Sequence, residues 1–372
     1  MTAPDEKIYM RRRHRRYGYL WSALFFLIAA VLVAAIVLFY ALQRYIVYDA
    51  DGLHLEVPWL TGDTARADAA APDAPAEETP PVSAPPEVTA EVVVDAADWS
   101  DYSSTAGQDL APMRAQRVPA GSISAAGLDE YAQRAQANGC EALVLEMKSA
   151  GGQLSWASGI PLAASYGANG SFDIGSILPE LHEAGLYLAA EVSCCTDELM
   201  ATRNPFLALR FITGLPYQDG DGQWLDLYNP SVREYLTDLV RELYEQGFDE
   251  VILRGLSLPD TADDLLYTTD MTVAADHTGR VLKYSEALRA LADEYGARLS
   301  IVYPPDTTDE NTGLDVTRLT LFYDRIYYVT TTDLLNARTD TLSAAVGETW
   351  DETRFVPMLD RWTDRTSFVL CS

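Results

Sequence analysis

Residues 99–372 repeat one pattern four times: an amphipathic helix, a glycine, then a short strand that is apolar on both faces. A first strand and three weaker ones bring the count to eight, and long inserts follow several strand ends. Strands apolar on both faces belong to buried parallel sheets. Eight βα steps in about 250 residues predict an α/β fold, a (β/α)8 barrel of the TIM type, with its site among those inserts.

The elements follow in order. Residues 113–118 are the first strand. Leu128, Tyr131, Ala132 and Ala135 form a helical stripe, Gly139 ends it, and strand 142–147 follows. Ile174, Ile177, Leu178 and Leu181 precede Gly185 and strand 187–192. The third helix has a defined start, Asn229 as N-cap and Pro230 at the first helical position. Its stripe (Val232, Leu236, Leu239, Val240, Leu243) leads to Gly247 and strand 251–253. Ala287, Leu288, Leu291 and Tyr295 precede Gly296 and strand 299–303. The glycines suit the left-handed position just past a helix. Strands 325–329, 355–359 and 367–370 complete the set, and only 362–366 separates the last two, so the final unit is abbreviated. Inserts span 148–172, 194–228 and 255–283, and His277 falls within the last of them. A doubly wound open sheet is the competing fold; no glycine-rich dinucleotide fingerprint follows the first strand to support it.

Charge divides the rest of the chain. The formal net charge is −28, but residues 1–44 hold seven Lys and Arg against two acids, +5, which leaves −33 on the remainder. Between the two lies 17–43, without a charged residue and nearly all Leu, Ile, Val, Ala, Phe and Tyr at its centre. That length at about 1.5 Å per residue crosses a bilayer, whereas a cleaved signal peptide has a shorter apolar run and a small-residue cleavage site. Tyr17, Tyr19, Trp21, Tyr40 and Tyr45 stand at its two ends as an aromatic belt. The basic tail 1–16 lies on the N-terminal side, so the positive-inside rule puts it in the cytoplasm and the acidic body outside. Residues 44–98 are a juxtamembrane stretch and a linker. Within it, 61–98 carries six prolines, nine acids and one base, a composition that stays extended and disordered.

Several chemistries are poorly supplied. An acidic body does not suit nucleic acid. Only His182 and His277 lie in the barrel region, too few for a multi-histidine zinc site and unfavourable for a Ser–His–Asp triad; His182 reads as an exposed helix residue. Cys140, Cys194, Cys195 and Cys371 lack metal spacing and read as small buried thiols. No P-loop, kinase or GxSxG pattern is present, and no cofactor or metal is expected.

Carboxylates and aromatics remain. Glu146, Glu191 and Asp360 stand at or near strand C-termini, with Trp156, Trp224 and Trp362 close by in sequence. Paired carboxylates are the apparatus of glycoside hydrolysis, and aromatic rings pack on sugar faces. Lys148, one of two lysines in the body, follows Glu146 and either orients a substrate hydroxyl or neutralises Glu146.

Three segments resemble a family of TIM-barrel glycosyl hydrolases long catalogued as a domain of unknown function. Residues 141–149 read E-A-L-V-L-E-M-K-S against the family's N-A-V-V-I-D-V-K-D, which aligns Glu146 with its Asp and Lys148 with its Lys. Residues 224–229, W-L-D-L-Y-N, are similar to W-V-D-P-Y-N and bring in Trp224, Asp226 and Tyr228. Residues 249–259 read D-E-V-I-L-R-G-L-S-L-P against D-E-I-Q-F-D-Y-V-R-F-P, so the family's Asp is Arg254 and its Arg is Ser257. By analogy with related barrels that Asp marks the place of a nucleophile, which an arginine cannot replace because it stays protonated. The resemblance implies a TIM-barrel fold and a carbohydrate substrate. With the span at 17–43 and the strand-end carboxylates it gives the expectation of a membrane-anchored, extracytoplasmic glycoside hydrolase acting on cell-wall or extracellular polysaccharide, with Glu191 and Glu146, by their strand-end positions, as working carboxylates and Asp226 or Asp360 as alternates. Lys148, Trp156, Trp224, Asp226, Tyr228, Arg254, Asp360 and Trp362 are the expected substrate contacts. A catalytically inactive carbohydrate-binding barrel is the alternative, and a purely structural envelope protein the third.

Overall fold

A computed structural model describes residues 99, 102, 104–268, 276–304, 306–307 and 309–372, and the backbone of 46–49 and 52–55. The expected tail, membrane span and linker 61–98 lie outside the described residues. Ile46–Asp49 and Gly52–Leu55 pair antiparallel, in a juxtamembrane stretch for which the sequence predicts no element. The barrel lies in a separate unit, Val88–Ser372.

Eight parallel strands close on themselves: β1 Arg114–Val118, β2 Ala142–Lys148, β3 Tyr187–Ser193, β4 Glu250–Arg254, β5 Arg298–Val302, β6 Ile326–Val329, β7 Phe355–Leu359 and β8 Phe368–Leu370. Each pairs with the next, and β8 returns to β1 through Phe368 opposite Arg114. Alternation along the strands divides the apolar side chains into two cores. Ala115, Val144, Ala189, Ile252, Val302, Tyr327, Val356 and Val369 fill the barrel. Leu143, Leu145, Leu188, Val251, Leu253 and Ile301 face outward against the helices. That double burial is why the strands read as unbroken apolar runs.

The main helices are α1 Ala125–Ala137, α2 Leu178–Glu183, α3 Pro230–Gln246, α4 His277–Tyr295 and α5 Leu335–Val346. Asn229 caps α3 by accepting from Ser231 N, and Gly247 ends it at φ +106°, a conformation that a Cβ would strain. Val232, Leu236, Leu239 and Leu243 carry the buried face; truncating Leu239, fully buried, to Ala would cost about 2–5 kcal/mol. Two boundaries differ from the sequence reading. α4 starts at His277, because Asp276 caps it by accepting from Gly279 N, so His277 is a first-turn residue whose Nδ1 bonds Asn311 O, and not part of an insert. α5 was not foreseen, since its moderate apolar content hides its stripe of Leu335, Leu342 and Val346. Residues 360–366 form no helix, so the last unit is abbreviated as expected.

The barrel floor is polar. Glu250, fully buried, accepts from Tyr187 Oη (2.9 Å), Tyr327 Oη (2.9 Å) and Arg325 Nη1 (2.6 Å). A charge in that place is tolerated because all three donors converge on it. The inserts after β3 and β4 pair with each other, Phe211 opposite Leu265 and Arg210 opposite Leu266. Among the described residues no helix is long and apolar enough to cross a membrane.

Candidate active site

The C-terminal mouth gathers side chains from four consecutive strands. Arg117 comes from β1, Glu146 from β2, Glu191 from β3 and Arg254 from the end of β4. Glu146 and Glu191 are direct register partners, so their side chains leave neighbouring strands side by side.

Glu191 is the centre of the cluster. Its side chain is 2% exposed. Arg117 grips it with two nitrogens, Nε to Oε2 at 2.8 Å and Nη2 to Oε1 at 3.0 Å. Arg254 Nε donates to Oε1 from the other side at 2.6 Å. Burial pushes the Glu191 carboxyl up, but the charge of Arg254 and the charge and hydrogen bonds of Arg117 outweigh it, and the group is lowered to about 2. Burial lowers the Arg117 guanidinium, but Glu191 and Glu146 more than offset this and hold it above its ordinary value.

Arg117 also bridges the pair. Its Nη2 lies 3.2 Å from Oε1 of Glu146 and 3.0 Å from Oε1 of Glu191, so those two oxygens are no further apart than the sum of these distances. The two carboxylates therefore share one guanidinium nitrogen, which offsets the repulsion between like charges on neighbouring strands. Glu146 is 21% exposed, and its second oxygen accepts from Ala120 N at 3.0 Å. Arg254 reaches across the barrel and rests Nη2 on the thioether of Met358 at 3.4 Å. Cys371, just past β8, interacts electrostatically with Arg117, Glu191 and Arg254.

Three of the expected site residues, Glu146, Glu191 and Arg254, are therefore brought together; the others are placed elsewhere. Lys148 does not neutralise Glu146. A register slip between Glu146 and Lys148 turns its chain toward the loop after β3, where Nζ donates to Ser193 O (2.7 Å) and pairs with Asp197 Oδ2 (2.9 Å), both side chains essentially inaccessible. Asp197 in turn caps the short helix Glu198–Arg203. Gly152, at φ +86°, allows this approach, because a Cβ there would collide with Oδ1 of Asp197. Lys148 thus locks the β2 and β3 loops together and is not open to a substrate.

The aromatic platform is also not found where expected. Trp156 is buried, its indole donating to Glu242 at 3.1 Å. Trp224 and Tyr228 are buried in the insert core, the latter packed on Tyr267 (ring centroids 4.9 Å apart) with Arg280 over its face. Trp362 is exposed but donates to Asn138 O, where α1 ends and the chain enters β2, at the far end of the barrel from the mouth. Asp226 is buried and accepts from Tyr228 N and Thr268 N, a loop fastener. Asp360 is on the surface, holding Thr332 and Arg361, and contacts none of the four mouth residues.

Two mouth residues were missed. Arg117 had a signal: it follows Met113 and Ala115 at strand spacing, so it points into the barrel. Cys371 had none, since only closure brings the C-terminus to β1. It is the exposed cysteine; Cys140, Cys194 and Cys195 are buried, and all four are free thiols. His182, half-exposed, pairs with Asp249 across 3.0 Å. Among the described residues no group of three or more His, Cys, Asp or Glu could hold a metal ion.

A closed eight-stranded parallel barrel with ionisable groups converging on its C-terminal mouth defines a TIM-barrel protein with its candidate site where such barrels place theirs. Residues 120–313 match the family described as "Putative glycosyl hydrolase domain", and the chain belongs to that family. The match takes in Glu146, Glu191 and Arg254 but not Arg117.

Similar solved structures include a hypothetical protein from Ruminiclostridium thermocellum (22% identity, 50% of this chain and 96% of that one, TM-score 0.44). The GH20 β-N-acetylhexosaminidase of Streptomyces coelicolor is another (13%, 67% and 47%, TM-score 0.41). A third is the α-galactosidase of Lactobacillus brevis (12%, 71% and 38%, TM-score 0.48). The chain spans less than half the length of the two named glycosidases. No curated protein matches.

Proposed function

We propose that the protein is a membrane-anchored, extracytoplasmic glycoside hydrolase-like barrel that holds a cell-wall or extracellular polysaccharide at its mouth. The anchor and orientation are inferred from the uncharged segment 17–43 and the basic tail before it. The observation that carries the reading of the site is the double arginine clamp on Glu191. A general acid must hold a proton at working pH, and a group lowered to about 2 is ionised throughout the neutral range. A nucleophile must turn a lone pair to the substrate, and three of the roughly four acceptor sites of Glu191 are taken by guanidinium donors, which draw charge from it and hold it toward the arginines. These features favour glycan retention over turnover.

A second reading, hydrolysis, is favoured by Glu146, which is partly exposed and stands beside Glu191 on the neighbouring strand. In this reading Glu146 does the proton work and Glu191 stabilises the transition state.

One experiment addresses both readings. The full-length protein in detergent is tested for retention of, and reducing-sugar release from, a panel of cell-wall and extracellular polysaccharides, alongside Glu146→Gln and Arg254→Asp. Saturable retention without release, with release appearing in Arg254→Asp, is the expected result. Release by the wild type that Glu146→Gln abolishes would establish the second reading, and absence of any retention would overturn both. Protease added to intact cells is expected to remove the barrel while sparing a tag on the N-terminus.

A further inference from the structure

We propose that Arg254, backed by Arg117, is an anion-recognition point, so that the glycan held at the mouth carries an isolated oxyanion, a carboxylate or a phosphate, on an otherwise neutral chain. This inference rests on the glycan-binding reading above and names the substrate class of the same site.

The argument starts from partners. Arg117, Glu191 and Arg254 make two cations around one buried anion. Glu146 is already tied to Arg117 and to Ala120 N, and no contact joins it to Arg254. The outer part of the Arg254 guanidinium is therefore undersupplied. Its Nη2 rests on a thioether, one of the weakest acceptors in a protein. Its Nη1 makes no hydrogen bond to a described residue, and the side chain is 33% exposed. Nη1 of Arg117 is in the same state, on a side chain 20% exposed. Guanidinium forks match carboxylate and phosphate oxygens in geometry and bind them through short charge-assisted bonds.

Position strengthens the case. Arg254 is oriented by its short bond to Glu191 on β3, and its Nη2 lies against Met358 on β7, so the guanidinium sits at the barrel opening with its Nε side already held when a ligand arrives. It also reverses the sign of charge at the strand-four end relative to the Asp of the family pattern. The −33 formal charge on the remainder of the chain opposes a polyanion, but at physiological salt that field is screened within about 8 Å. The combination selects a single anionic group and disfavours a densely charged polymer.

The test uses the full-length protein in detergent and an array of matched oligosaccharides on β-glucan, chitooligosaccharide and galactan backbones. Each backbone is present as the neutral form, with one terminal uronate, and with one terminal 6-phosphate. The uronate or the phosphate form of at least one backbone is expected to bind roughly 10- to 100-fold tighter than its neutral form, the worth of a charged hydrogen-bonded pair. Which of the two is preferred identifies the source of the oxyanion. Arg254→Gln is expected to collapse the ratio toward one, and Arg254→Lys, which keeps the charge without the fork, to give an intermediate ratio; circular dichroism verifies that both are folded. Equal binding of neutral and anionic forms would overturn this inference while leaving glycan binding intact. No binding by any form would overturn the glycan reading itself, and this inference with it.

Discussion

Replacing Glu191 by Gln keeps the side-chain shape and removes its charge, so it measures what the double clamp contributes. The carboxyl is lowered from 4.5 to about 2 in the folded protein, and 2.5 pKa units at 1.36 kcal/mol each is about 3 kcal/mol. Removing one partner of a buried ion pair costs about 3–5 kcal/mol, and the partial exposure of Arg117 and Arg254 places this case at the lower end, since both can turn toward water. The two routes agree on about 3 kcal/mol. The sign follows from the direction of the shift. A folded value below the unfolded one contributes fully above 4.5 and loses that contribution as pH falls toward 2. The gap between wild type and Glu191→Gln should therefore shrink from about 3 kcal/mol at pH 7 to about 2 at pH 3.5. Urea unfolding followed by tryptophan fluorescence reads it directly, as a midpoint shift of about 1 M for a slope of about 3 kcal/mol/M. A gap below 1 kcal/mol at pH 7, or one unchanged at pH 3.5, would refute the assignment of Glu191 as an ionised, doubly bonded anion.

Three further outcomes follow from the placements. Lys148→Met strands the Asp197 charge in an inaccessible site and should cost about 3–5 kcal/mol by thermal denaturation; a loss under 1 kcal/mol would mean that the pair is not closed. Trp362→Ala, at the far end of the barrel, should leave glycan retention within about twofold, and a tenfold loss would return that residue to the binding surface. A thiol assay on the native protein should titrate one cysteine and lose it in Cys371→Ser, because the other three thiols are buried; more than one reactive thiol in the folded protein would contradict that burial.

The barrel was legible because its signals are local and redundant. Each strand between Ala142 and Val302 is apolar on both faces since it is buried twice, inside against its barrel neighbours and outside against a helix. The glycines after α1 to α4 mark the helix ends with positive φ, a constraint visible in a single residue. α5 escaped because its face mixes Leu335 and Leu342 with Thr339, which is held by Tyr328 through a hydrogen bond no sequence spacing reports. His277 was misread because the capping role of Asp276 depends on one backbone N–H, that of Gly279.

The site was legible as a location and not as a set of pairings. Strand-end position found Glu146, Glu191 and Arg254, because the end of an inward-pointing strand residue is fixed by the fold. It could not find what each one touches. Lys148 stands two residues from Glu146, yet a one-residue slip in the β2–β3 register sends it to Asp197, forty-nine residues further on. Arg117 carries no catalytic signature of its own in the sequence, although the chemistry of a carboxylate is decided by its cations. An acid at a strand end reads as a candidate catalyst only while its partners are unknown. With Arg117 on one side and Arg254 on the other, Glu191 becomes an anchor, and the group left with unmet hydrogen-bonding capacity at the mouth is the guanidinium. In a body this acidic, the substrate-selecting charge is therefore expected to be a cation.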